Sequence, residues 1–226
     1  MIAHRGYSGK YLGNTEKAFL MAAENKSGGA ETDIRMTKDG VLVCNHNATA
    51  VFEDGTELTI ADSTYADLTA KPLQNKYNNG DVYVCTLRRY LEIMKENNMI
   101  CFVELKDAFT DEQISMIFAL VREVYDLSKC ILQSFDFDNL VRIHQQIPDL
   151  PVMLTYGKSE SHYERCFDYG FSIDVDQYVV SEKMIEEFHE RNLEVGVWTV
   201  NERDRLEYIR SLGVDYIESD FFGGND

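Results

Sequence analysis

The chain has 226 residues, 44% of them apolar, and a formal net charge of −17. The apolar share permits a full core and excludes a disordered chain. The acidity excludes sequence-independent binding to nucleic acid or anionic membrane, which needs clustered Lys and Arg. No apolar run approaches the roughly 18 residues of a membrane span, so no stable membrane insertion is expected. The chain opens on Ile2-Ala3-His4 with no basic start and apolar stretch, which predicts a cytoplasmic protein. The five cysteines, Cys44, Cys85, Cys101, Cys130 and Cys166, are odd in number and form no C-x-x-C. They read as reduced, mostly buried thiols.

Strand-like and helix-like patterns alternate along the chain. Ile2 to Arg5 reads as a short strand. Asn14 to Glu24 follows as a helix with Ala18, Phe19, Ala22 and Ala23 at helical spacing and Asn14 or Thr15 as N-cap. Strand patterns recur at Ala30 to Met36, Ile100 to Leu105, Cys130 to Ser134, Pro151 to Thr155, Phe171 to Val175, Glu194 to Thr199 and Val214 to Glu218. Helical patterns precede or separate them at Thr86 to Asn97, Thr110 to Tyr125, Asp138 to Gln146, Ser161 to Asp168, Glu182 to Arg191 and Glu202 to Ser211. Asp111 and Glu112 open one of these helices, as the helix dipole prefers.

Regular βα alternation argues for a parallel sheet, and eight units argue for closure into a (β/α)8 TIM barrel of one domain, residues 1–226. The exception runs from Thr37 to Cys85. Val41 to His46 is a strand too close to the preceding one to pair parallel, and Asn47 to Asp81 is polar and reads as irregular. This is expected to be an insertion, residues 47–81, in the second βα loop, over the barrel end that carries active sites. An open doubly wound sheet is the competing fold. His4-Arg5-Gly6-Tyr7-Ser8-Gly9 lacks the G-x-G-x-x-G spacing which that fold would want.

Chemistry is concentrated in a few positions. Glu31 and Asp33 share a face of their strand by its two-residue period, and Glu104 with Lys106 does the same on the next. Unpaired buried carboxylates are costly, so three of them predict a hard divalent cation, Mg2+ or Ca2+, held by Glu31, Asp33 and Glu104. An intra-strand ion pair of Glu104 with Lys106 is compatible with that. His4 and His46 are the candidate acid and base, since imidazole titrates near neutral pH. Arg5 offers a fork for phosphate oxygens or a salt bridge to the acids. Trp198 either packs the barrel or walls the substrate pocket. His144, His162 and His189 read as surface or structural.

These residues together resemble the glycerophosphodiester phosphodiesterase family. The resemblance rests on His4-Arg5-Gly6, Asn14-Thr15 with Ala18-Phe19, Glu31-Thr32-Asp33, Thr37-Lys38-Asp39-Gly40, Val43-Cys44-Asn45-His46 and Glu104-Leu105-Lys106. Gln133-Ser134-Phe135-Asp136, Trp198-Thr199-Val200-Asn201 and Gly213 to Asp220 extend it to nearly the whole chain. The resemblance implies a TIM barrel that hydrolyses a glycerophosphodiester to glycerol phosphate and an alcohol. It implies a metal on Glu31, Asp33 and Glu104, acid and base from His4 and His46, and attack by the substrate's own glycerol hydroxyl through a cyclic phosphate. Arg5, Lys106 and Trp198 are the expected substrate contacts. Two positions depart from the family: Gly13 stands where it has Glu, and Asn47 where Asp usually follows the second histidine. Two other readings stay open: a related barrel cleaving phosphoinositide or choline-type lipids, and a catalytically silent barrel that binds a glycerophosphoryl ligand.

Overall fold

The computed structural model describes residues 1–158 and 162–221. Eight parallel strands close on themselves: β1 (Ile2–Ala3), β2 (Gly29–Met36), β7 (Ile100–Leu105), β8 (Cys130–Ser134), β9 (Val152–Tyr156), β10 (Ser172–Asp176), β11 (Val195–Trp198) and β12 (Tyr216–Ser219). β1 pairs with both β12 and β2, which completes the ring. The helices between them are α1 (Glu16–Glu24), α3 (Leu87–Glu96), α4 (Asp111–Val124), α5 (Phe137–Gln146), α6 (Arg165–Tyr169), α7 (Glu182–His189) and α8 (Arg203–Ser211). The fold is the expected (β/α)8 barrel.

Side chains alternate in and out along each strand. Outward residues such as Ala30, Val103, Leu132, Ile173 and Val197 pack under the helices in the main core. Inward residues at the lower end, Ile2, Phe102, Ile131 and Met153, form a separate apolar plug. The residues one step further up each strand are polar, and they form the site described below.

Local differences from expectation have local causes. β1 ends at Ala3 rather than Arg5 because Arg5 (φ 56°) and Gly6 (φ 75°) turn the chain out of the strand. Gly6 is required there: a Cβ would lie 2.6 Å from the Ala18 backbone of α1. Asn14 is not the N-cap of α1. It is left-handed (φ 60°), and Thr15 caps the helix by accepting the Ala18 N–H. The helix expected from Ser161 begins at Arg165, and Ser161 itself lies outside the described residues.

The segment after β2 is not irregular. β3 (Leu42–Cys44) returns antiparallel on β2, and β6 (Cys85–Thr86) pairs antiparallel with β3. Between them lie a hairpin of β4 (Thr49–Val51) and β5 (Glu57–Thr59) and a short helix, α2 (Tyr65–Thr69). Ala50, Phe52, Ile60, Leu68, Leu73, Val82 and Val84 bury together with Val43 as a small core of their own. Those apolar residues are scattered among polar ones without a steady period, which hid the order. The five cysteines are all buried and free. No helix among the described residues is long and apolar enough to cross a membrane.

Candidate active site

The register brings the acidic residues together. Asp33 of β2 stands opposite Glu104 of β7, and Glu104 opposite Gln133 of β8. Glu31, Asp33 and Glu104 each offer an oxygen within 4.8 Å of the others, and all three are buried. Glu31 Oε2 accepts the Arg5 backbone N–H at 2.9 Å. Its Oε1 and Asp33 Oδ1 are buried with no hydrogen-bond partner. Buried hard oxygens without hydrogen-bond donors on converging carboxylates are what a divalent cation satisfies, so the residues fit such an ion.

Electrostatics separates the three acids. Burial, then Asp33 and Glu218, push the Glu31 carboxyl well above the usual range. Burial and Asp33 raise Glu104 to about 7 against the pull of Lys106. Burial would raise Asp33 as well, but Arg5, Lys106 and His46 outweigh it and hold Asp33 low. Arg5 Nε lies 3.1 Å from Asp33 Oδ2, and Lys106 Nζ lies 2.7 Å from Glu104 Oε1 and 3.6 Å from Asp33 Oδ1. Both cations thus neutralise the acids at the edge of the site. Asn14 fixes Asp33: its Nδ2 donates to Asp33 Oδ2 at 2.7 Å, while its Oδ1 accepts from Thr32 Oγ1 and the Asp33 N–H. The left-handed backbone that keeps Asn14 out of α1 is what aims this side chain at β2.

The histidines flank a pocket of about 620 Å³ between the first βα loop and the insertion, lined by His4, Arg5, Asn14, His46 and Asp220 among others. His4 Nδ1 lies 2.7 Å from Asp220 Oδ1. Ser8 Oγ and Asn201 Nδ2 donate to the same carboxylate, each at 2.7 Å. Burial works to raise Asp220, but the bonds to His4, Ser8 and Asn201 prevail and bring it down to about 2. His46 is held through its backbone, whose carbonyl accepts from Arg35 Nε and Nη2 at 3.2 and 2.8 Å. Burial lowers the His46 pKa, and Arg5 and Lys106 add to this against Asp33. Its Nδ1 lies 3.0 Å from Asn47 Oδ1, so a neutral amide stands at the position where the family's Asp would be. Gly13, the other departure, leaves little room for a side chain: a Cβ would lie 3.0 Å from that of Arg5.

Trp198 does not line this pocket. Its Nε1 donates to the Asp174 carbonyl, and its ring meets Phe135 edge-on, with centroids 5.7 Å apart. Lys106 Nζ lies 5.3 Å from the Phe135 centroid, so the aromatic pair adjoins the cation that neutralises Glu104. His189 pairs with Asp215 near the surface, and His144 packs against Tyr169 and Phe171. His162 is left-handed (φ 71°), in the loop before α6.

Residues 4–223 match the model of the glycerophosphoryl diester phosphodiesterase family. The chain belongs to that family. Its members are phosphoric diester hydrolases, and this chain is an enzyme of that type. It is 25% identical over 229 residues to the glycerophosphodiester phosphodiesterase of Caldanaerobacter subterraneus, covering 97% of this chain and 93% of the relative. The glycerophosphodiester phosphodiesterase of Bacillus altitudinis is 22% identical over 98% of this chain and 94% of its own. Among solved structures, a glycerophosphodiester phosphodiesterase from Parabacteroides distasonis superposes with a TM-score of 0.81 at 25% identity, over 97% of this chain and 91% of that one. A phosphodiesterase from Oleispira antarctica, in complex with the product sn-glycerol-3-phosphate, shares the fold with a TM-score of 0.88 at 19% identity, over 97% and 92%.

Sequence reasoning missed several residues that the barrel gathers around these acids. Asp174 and Glu218 are buried, and both carboxyls are pushed well above the usual range, chiefly by burial. Glu218 lies within 4.8 Å of Glu31 and His4. Both oxygens of Asp174 lack a partner, and Gly196 makes room for them: a Cβ there would lie 2.5 Å from Asp174 Oδ1. The signal was available, because Asp174-Val175-Asp176 and Glu218-Ser219-Asp220 repeat the alternation that singled out Glu31 and Asp33. Asn14, which holds Asp33, carries no such mark.

Proposed function

We propose that this member of the family hydrolyses a soluble glycerophosphodiester to a glycerol phosphate and an alcohol, with a divalent cation on Glu31, Asp33 and Glu104 and proton transfer by His4 and His46. The observation that supports it most is the convergence of three buried carboxylates, with Glu31 Oε1 unpartnered and Asp33 Oδ1 met only by Lys106 at 3.6 Å, beside a pocket that both histidines line. Magnesium or calcium bound there would neutralise the diester's charge and lower the pKa of an adjacent hydroxyl. His46, kept neutral by its surroundings, is suited to accept the proton of the attacking hydroxyl. His4 is suited to protonate the leaving alkoxide. Asp220 fixes its ring orientation and supplies a counter-charge while the proton is carried. Arg5 and Lys106 add positive charge for the phosphoryl oxygens.

The test is release of glycerol 3-phosphate from a panel of glycerophosphodiesters, with and without EDTA. Activity that EDTA abolishes and Mg2+ or Ca2+ restores supports the reading. EDTA-resistant turnover, or no turnover of any diester, overturns it. The silent-barrel reading would require the acid–base machinery to be broken, whereas the carboxylates and both histidines are in place.

A further inference from the structure

The pocket beside His4 and His46 has a composition that selects among leaving alcohols. We propose that it takes an uncharged polyhydroxy alcohol, such as glycerol or inositol, and disfavours cationic head groups such as choline and ethanolamine. This rests on the phosphodiesterase reading of the site.

An ammonium group is held by exposed aromatic faces and by carboxylates. Three aromatic rings line the pocket, Tyr11, Tyr77 and Phe221. Two already carry a cation of the protein itself. Lys76 Nζ lies 4.9 Å from the Tyr77 centroid, and Lys17 Nζ 5.6 Å from that of Tyr11. The third, Phe221, packs on Gly9, where a Cβ would fall 2.4 Å from the ring. Among the described residues, Asp220 is the sole carboxylate in the lining, and it is engaged by His4, Ser8 and Asn201. Lys76 is a lining residue too, so an incoming ammonium meets like charge.

What the insertion does offer is amide and hydroxyl chemistry. Asn47, Thr49 and Gln74 line the pocket, and Asn45 joins them from just before the insertion. Amides and hydroxyls both donate and accept, which matches a chain or ring of hydroxyls and gives no preference to a cation.

The experiment compares kcat/KM of the full chain with Mg2+ on four diesters of sn-glycerol 3-phosphate, those of glycerol, inositol, choline and ethanolamine. The glycerol and inositol diesters should exceed the choline and ethanolamine diesters by about 10-fold or more, the scale of one unfavourable charge contact. Lys76 is exposed, so Lys76→Glu should fold, as a thermal melt will show. It should narrow the polyol-to-choline ratio several-fold. Equal or better turnover of the choline diester by the wild type, or an unchanged ratio in folded Lys76→Glu, overturns the proposal while leaving the phosphodiesterase reading intact. Failure to cleave any of the four, together with bis(4-nitrophenyl) phosphate, overturns both.

Discussion

Glu31→Gln sets two opposite effects against each other, and their order of size can be worked out. In the wild type without metal, Glu31 Oε1 is buried and unpartnered, and Asp33 and Glu218 lie close enough to oppose its charge. The amide removes that charge, can keep the Arg5 N–H bond, and can donate to a neighbouring carboxylate. Relief of one uncompensated buried acceptor is worth about 1–3 kcal/mol. In a domain of this size each kcal/mol moves Tm by roughly 2–4 °C. The pH dependence follows from the raised folded pKa. Between the unfolded value, about 4.3, and the raised folded value, the native wild type binds more protons than the unfolded chain, so its stability falls as pH rises through that window. The advantage of Glu31→Gln in EDTA should therefore be largest near pH 8 and vanish toward pH 4. Cation binding reverses the order, because a ligand at 100 times its Kd stabilises the wild type by about 2.7 kcal/mol, and Glu31→Gln forfeits most of that. Differential scanning calorimetry at several pH values, in EDTA and in excess Mg2+ or Ca2+, reads both effects. A Glu31→Gln protein that melts below the wild type in EDTA at pH 8, or that keeps the full cation-induced shift, would refute the reasoning.

Further outcomes follow from other contacts. Asp220→Asn should lower kcat by about 100-fold, the scale of a positioned acid or base, with little change in KM, and steady-state kinetics will show whether KM moves instead. Because Asp220 is held down to about 2, it contributes stability that is present above its unfolded pKa of about 3.9 and lost as pH falls toward 2; acid titration followed by circular dichroism should show a weaker acid dependence in Asp220→Asn. A 4-nitrophenyl diester, whose leaving group needs no proton, should rescue His4→Ala but not His46→Ala, and the reverse pattern would exchange the two roles. Since burial lowers His46, the acidic limb of kcat/KM should lie below its ordinary value of about 6.5, and a limb above that would contradict a neutral His46. Gly196→Ala should cost about 1–3 kcal/mol by overpacking, because its Cβ would fall 2.5 Å from Asp174 Oδ1; a thermal melt equal to the wild type would show that Asp174 can move.

Much of this architecture is determined locally. Eight strand patterns, the helices between them and the two-residue period of Glu31 with Asp33 and Glu104 with Lys106 are written in short stretches of chain, because burial on both faces of a barrel strand leaves few residues that fit. The family motifs carry the same information. Three things depended on the closed barrel. Asp220 holds His4 from 216 residues away, a contact that exists only because β12 returns beside β1. Asn14 looked like a helix cap, since its type suits one; its left-handed backbone and its bonds to β2 make it the clamp on Asp33. The insertion read as irregular because its apolar residues follow no period, and they find one another only after β3 folds back on β2 and β6 pairs with β3. Asp174 and Glu218 lie between these cases. Their alternation was visible in the sequence. Which acids share the barrel's interior with Glu31 was decided by how neighbouring strands line up, and no single strand carries that register.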